Sequence, residues 1–250
     1  MSISLPLIVL PFVLFALVAM ALAFIAWHRS RAPGSSSFAL MMLAIVIWLI
    51  TVAIQTTTSD LPDKVVWAKI GYLGIGWVGT LWLSFALDFT HPQNRVLHLV
   101  GSWISLVPAI VMAAILSSDQ QSITWDYIAP VYNSGRLNPV FYNDAWFWLY
   151  AIYSYLVLLV GAVIIFADVL NHPKTQRWQV TWLVVGVTLP WVANLGSMLG
   201  FPVAGPDLTP FAFAITGVVY AWILYRMELF DLVPLAHEAI LEKSGEGYLI

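Results

Sequence analysis

The stretch LPLIVLPFVLFALVAMALAFIAW, residues 5–27, contains no ionisable side chain. The hydrocarbon core of a bilayer takes about 20 helical residues to cross. A surface helix of a soluble protein carries a polar face, and this stretch has none. It therefore reads as a membrane-spanning helix. Ala19-Met20-Ala21 imitates a signal cleavage site. Even so, no Lys or Arg precedes the apolar run, the run is too long for a secretion signal, and the basic residues come after it.

Six further apolar segments follow, near 38–57, 65–89, 96–116, 145–170, 177–200 and 208–227. The breaks carry turn residues: Ala32-Pro33-Gly34-Ser35, Leu61-Pro62-Asp63, His91-Pro92-Gln93-Asn94, Asn171-His172-Pro173, and Phe201-Pro202 with Gly205-Pro206-Asp207. The break at 117–144 is the long one. Charged residues make up 9% of the chain, against roughly 25% in a soluble domain, so an aqueous fold of this size is excluded. With no cysteine there is no disulfide framework, thiolate metal site or catalytic thiol.

Orientation follows from Lys and Arg in the short loops. One side collects Arg29, Arg31, Arg95, Lys174, Arg177, Arg226 and Lys243. The other holds Lys64 and Arg136 together with Asp60, Asp63, Asp119, Asp126, Asp144 and Asp207. The expected fold is an all-α membrane protein, a seven-transmembrane helix bundle with the N-terminus outside and the C-terminus cytoplasmic. Residues 1–228 form the membrane domain. Residues 229–250 form a cytoplasmic coupling helix and the start of an output module.

Several chemistries are excluded. Gly74-Ile75-Gly76-Trp77-Val78-Gly79 matches a dinucleotide-binding pattern, but that pattern needs a preceding strand, and here it lies in an apolar helix. With Gly71 these glycines read as close helix packing. A retinal Schiff base needs a lysine in the last helix, and 208–227 has none; Lys69 lies in the third segment. His28, His91, His98, His172 and His237 show no metal-ligand spacing. No catalytic residue, metal, cofactor or nucleic-acid partner is expected.

Polar groups inside a membrane are expensive, so their positions are informative. They concentrate in the outer half. Trp48, Thr51 and Gln55 share a face of the second segment. Lys69, Tyr72, Gly76 and Thr80 do so on the third, Trp146, Tyr150 and Tyr153 on the fifth, and Pro190, Asn194 and Ser197 on the sixth. Pro190 cannot donate and should free the carbonyl of Gly186. Asp207 and Thr209 open the seventh segment.

Each has a structural alternative. Trp67, Trp125 and Trp146 suit an interfacial belt, Asp207 a helix N-cap, and Asn194 a bridge between helices. Lys69 pairs with Asp63 or Asp207, or snorkels outward. On the functional reading the stripes converge on an outward-facing, aromatic pocket for a small amphipathic or aromatic ligand. Its residues are Gln55, Lys69, Tyr72, Gly76, Trp146, Tyr150, Tyr153, Pro190, Asn194, Asp207 and Thr209.

Beyond the seventh segment, Leu229, Val233, Ala236 and Ile240 step by four, three and four, a short heptad-like seam. Gly245-Glu246-Gly247-Tyr248-Leu249-Ile250 reads as the opening strand of a cytoplasmic domain, cut off at its start.

The whole chain resembles the N-terminal seven-transmembrane region of bacterial sensor histidine kinases. The resemblance is most specific in Leu189-Pro190-Trp191-Val192-Ala193-Asn194, in Asp207-Leu208-Thr209-Pro210, and in Leu229-Phe230-Asp231-Leu232-Val233-Pro234-Leu235-Ala236. It implies a ligand-sensing input domain without enzymatic activity of its own, in the bacterial inner membrane. It also implies a cytoplasmic output domain in the same polypeptide, such as a histidine kinase, and the seam suggests a homodimer in the full-length receptor. The competing expectation is a small-molecule transporter. Against it stand the odd segment count, the absence of an internal repeat, and the placement of Asp88, Asp168 and Glu228 at helix ends rather than deep in the bundle.

Overall fold

The computed structural model describes residues 5–28, 33–118, 125–133 and 136–170, and positions 186, 188–192, 195–196, 212, 215–216 and 219. Its elements are α1 (Leu5–His28), α2 (Ser35–Thr57), α3 (Leu61–Thr90), α4 (Arg95–Ile104), α5 (Leu106–Ser117), β1 (Trp125–Asn133), β2 (Arg136–Asn143) and α6 (Ala145–Leu170). The described positions from 186 to 196 and from 212 to 219 are helical. Within the described residues, five stretches are long and apolar enough to cross a membrane: Val9–His28, Ser35–Thr57, Leu61–Thr90, Leu99–Ser117 and Ala145–Asp168. Of the sixth expected segment only 186, 188–192 and 195–196 are described, so Asn194 and Ser197 lie outside the described residues. So do Asp207, Thr209 and the coupling segment.

Two expectations are corrected. The fourth segment is not one helix: it breaks at Ser105 into α4 and α5, for a reason that lies three residues on, at Pro108. And the chain is not purely helical, because the long break holds an antiparallel hairpin. Its strands pair from Asn133↔Arg136 to Trp125↔Asn143, and two residues, Ser134-Gly135, connect them, the length that such hairpins favour. Pro130 and Pro139 are paired with each other. Both strands of a two-stranded sheet are edges, so a residue without an N–H is tolerated in each. β2 packs against α3 and α6.

Helix α3 is the hub, packed against α2, α4, α5 and α6, while α1 packs on α2. Between lipid-immersed helices there is no hydrophobic drive, so close packing and hydrogen bonds carry the association. The glycines of α3 provide the closeness. A Cβ on Gly74 would collide with the carbonyl oxygen of Ala44 and stand 2.7 Å from the amide nitrogen of Trp48. Gly71 faces Thr51 and Trp48, and Gly79 faces Ser154 and Leu158. The glycine run is therefore a packing face on two sides, as expected, with α2 against Gly71 and Gly74 and α6 against Gly79.

The core sits towards the Asp88 end of α3. Trp82, Phe85, Met42 and Ile165 are fully buried there. Phe38, Trp82 and Phe89 surround Phe85 at ring-centroid distances of 5.6–5.8 Å. Trp82 also reaches across to α6, where its indole Nε1 donates to the carbonyl of Leu158 at 3.1 Å. Gly161 makes room for that indole, since a Cβ there would lie 2.6 Å from Trp82 Nε1. The α1–α2 turn closes on the same cluster. Gly34 has φ 79°, the left-handed conformation that glycine adopts without penalty, and it abuts the Phe85 ring. Ser37 and Asp88 hydrogen-bond beside it.

Candidate functional site

Several residues named from the sequence lie between the start and the middle of α3 and on the facing start of α6. α6 begins after Asp144, whose side chain accepts from the amide of Phe147 at 2.9 Å and caps the helix. One turn further, Tyr150 and Tyr153 present stacked rings with centroids 5.8 Å apart. Their hydroxyls go to different helices. Tyr150 donates to the carbonyl of Gly76 on α3 at 2.6 Å. Tyr153 donates to the carbonyl of Ile104, the last residue of α4, at 2.7 Å. The side chain that Gly76 lacks leaves room for Tyr150 and for Met112 of α5: a Cβ there would lie 2.7 Å from Met112 Cε and 3.3 Å from the Tyr150 oxygen. α3, α4, α5 and α6 therefore meet at two tyrosines.

The Ile104 contact explains the α4–α5 break. Pro108 has no N–H to return to the carbonyl four residues earlier, and that carbonyl belongs to Ile104. Pro108 is fully buried, and a membrane interior offers no water as a substitute. The helix is interrupted at Ser105, whose hydroxyl and amide both turn back to Gly101, and Tyr153 supplies the missing donor.

The two lysines at this end serve helix termini. Lys69 Nζ donates to the Ser118 carbonyl at 2.6 Å and to its hydroxyl at 3.3 Å. That places its charge on the C-terminus of α5, where the helix dipole is negative; of the partners expected from the sequence, Asp207 lies outside the described residues. Lys64, expected in an outer loop, lies in the first turn of α3. It is only 4% exposed, with Nζ 2.7 Å from the carbonyl of Gln55 in the last turn of α2.

The remaining expected residues separate into groups. Tyr72 is half-buried on α3, one turn before Gly76. Gln55 is half-buried and contributes its backbone to Lys64. Trp146 is 59% exposed and stands apart from the tyrosine contact. Trp48 and Thr51 are buried against the glycine face of α3, with the Thr51 hydroxyl turned to the carbonyl of Trp48. Pro190 is fully buried, and the carbonyl of Gly186 accepts the hydroxyl of Thr216 at 2.6 Å. Sequence reasoning had identified that carbonyl without finding its partner. It had also passed over Met112, Pro108 and Thr216. Signals for the last two were present: a proline inside an apolar run, and a hydroxyl in the seventh segment.

Comparison with known families decides what kind of bundle this is. The family described as the N-terminal 7TM region of histidine kinase matches residues 11–234. The chain belongs to that family. The match begins inside α1, at Pro11, covers α2 through α6 and continues across the sixth and seventh expected segments to Pro234. No curated protein matches the chain. In this histidine kinase region the polar side chains of the bundle are repeatedly spent on backbone carbonyls of neighbouring helices: Tyr150 on Gly76, Tyr153 on Ile104, Trp82 on Leu158, and Thr216 on Gly186.

Proposed function

We propose that this region is the sensing input domain of a bacterial histidine kinase, lying in the inner membrane with its N-terminus outside. It binds a small amphipathic or aromatic ligand in the outer half of the bundle and passes a displacement of the seventh helix to a cytoplasmic output domain in the same polypeptide. Catalysis belongs to that output domain. The full-length receptor works as a homodimer, with the seam at Leu229, Val233, Ala236 and Ile240 continuing into its partner. Crosslinking through Ile240→Cys in the full-length protein tests this, and the absence of a covalent dimer counts against it.

The observation that supports the reading best is the junction of four helices at Tyr150 and Tyr153. A ligand inserted beside these rings touches α3, α4, α5 and α6 together. The junction also suggests the polarity of the ligand. Each tyrosine has already given its one proton to a backbone carbonyl, and Tyr150 is also hydrogen-bonded to Ser154, so it is the Tyr153 oxygen that has lone pairs to offer. The site suits a planar ligand that brings its own N–H or O–H donor. Asn194, Asp207 and Thr209 complete the wall from the sixth and seventh segments.

Indole and 1-methylindole share a planar body and differ in the donor. Saturation-transfer NMR on the protein in nanodiscs should show indole binding more tightly by roughly 2- to 12-fold, the net worth of one neutral hydrogen bond. Tyr153→Phe should narrow that difference. Equal binding of the two compounds would refute the donor requirement.

A further inference from the structure

Pro190 and Thr216 stand in different segments but are tied to one acceptor. Pro190 leaves the carbonyl of Gly186 without an amide in its own helix, and both Gly186 and Pro190 are buried. The Thr216 hydroxyl meets that carbonyl at 2.6 Å. The same hydroxyl lies 2.9 Å from the carbonyl of Ala212, one turn back on its own helix. A hydroxyl has one proton to give. Thr216 is 4% exposed and Ala212 is 7% exposed, so water does not enter the competition, and two carbonyls on two different segments contend for a single donor.

We propose that Thr216 is a two-position latch between the Pro190 segment and the Thr216 segment. With the proton on Gly186, the segments are pinned together at the proline. With the proton on Ala212, the back-bonded arrangement that threonine often takes within helices, the Gly186 carbonyl is released and the segments can shift. The released position leaves the buried Gly186 carbonyl without a donor, while the Ala212 carbonyl has an amide four residues on in its own helix, so the pinned position is favoured by roughly 5- to 160-fold. A ligand that prefers one arrangement by a similar factor is then enough to move the balance, and a ligand without such a preference moves nothing. This latch supplies the moving part of the signalling reading above, on which its biological role rests. The latch itself is tested without a ligand.

The chain has no cysteine, so spin labels can be placed on the 250-residue protein in nanodiscs without removing native thiols. Leu195 and Ile215 are 46% and 53% exposed and flank the contact from the two segments. Distance distributions between labels at these positions report the two arrangements. Thr216→Val keeps the shape and removes the proton; it should shift the ratio of the two populations roughly 5- to 160-fold. Thr216→Ser keeps the proton and should match the parent. Pro190→Ala returns an amide to Gly186, so it should reproduce the valine shift on its own and leave Thr216→Val with little further effect. Three outcomes overturn the latch: neither Thr216→Val nor Pro190→Ala moves the distribution, serine behaves like valine, or the valine shift persists undiminished in the Pro190→Ala background. If these labels respond as expected while kinase output in the full-length receptor does not follow them, the latch stands and the signalling reading fails.

Discussion

Tyr153 and Ile104 lie far apart in the chain and are joined by a hydrogen bond of 2.7 Å, side-chain hydroxyl to backbone carbonyl. The bond exists because Pro108 removes the donor that Ile104 would otherwise have. Gly186, Pro190 and Thr216 repeat the arrangement. In water a carbonyl freed by proline finds solvent. In a bilayer it must find a side chain, and the side chain that answers comes from another helix. Each of these two prolines thereby becomes a point where two helices are joined.

Tyr153→Phe should therefore destabilise the bundle. Hydrogen bonds between membrane helices contribute about 0.6 kcal/mol on average and up to about 1.7, and the loss should fall in that range. Reversible unfolding in mixed micelles would measure it. In a Pro108→Ala background the Ile104 carbonyl recovers an amide, and the penalty of Tyr153→Phe should shrink. Equal penalties in both backgrounds would show that the hydroxyl is not serving that carbonyl.

Much of this architecture was legible because the bilayer leaves the sequence little choice. The five apolar stretches that the structure shows match expected segments to within a few residues, and the glycine run was readable as a packing face. What was not legible depended on tertiary partners. Lys64 and Lys69 look like loop or surface charges until the ends of α2 and α5 are placed beside them. The break at Ser105 needed Pro108 to be weighed against a tyrosine on another helix. The hairpin was missed because Ser134-Gly135 sits in a stretch read as one polar loop, although Tyr127, Val131, Tyr132, Val140, Phe141 and Tyr142 are strand-forming types. Tyr150 and Tyr153 were identified as facing inward. That their hydroxyl protons are already committed could be seen only in three dimensions.

Glycine substitutions should separate packing from propensity. Alanine is the better helix former by about 1 kcal/mol, so exchange at an open position is neutral or favourable. Gly196 meets nothing within 4 Å, and Gly196→Ala should raise stability slightly or leave it unchanged. Gly74→Ala forces α2 away from α3 at the backbone of Ala44 and Trp48 and should cost about 1–3 kcal/mol, as overpacking does. Thermal unfolding of the two variants side by side checks this. A Gly74→Ala protein as stable as the parent would mean that α2 and α3 are not in backbone contact.

The contact of Lys69 with Ser118 predicts a local effect. Lys69→Met keeps the apolar stem and removes the charge from the end of α5. The helix-dipole and hydrogen-bond contribution there is about 0.3–1 kcal/mol for an accessible terminus and up to about 2 when partly buried. Amide exchange should accelerate in the last turn of α5, near Leu116 and Ser117, with little change at Trp82 and Phe85. Faster exchange throughout α3 would instead indicate a role in holding the bundle together.

Orientation can be argued more closely once the lysines are placed. A count of Lys and Arg already favours an external N-terminus, and one of the two basic residues opposing that assignment, Lys64, is engaged with the carbonyl end of α2. A local bond accounts for its position, so the opposing count is weaker than it looks. The side that carries the hairpin should therefore be the outer one. Ser134 follows Asn133, which pairs with Arg136 at one end of the two strands. In a chain without native cysteine, Ser134→Cys should react with a membrane-impermeant maleimide in intact cells. Ser244→Cys should react only after the membrane is opened. Labelling in the reverse order would place the hairpin in the cytoplasm, and the tyrosine junction would then face the interior of the cell.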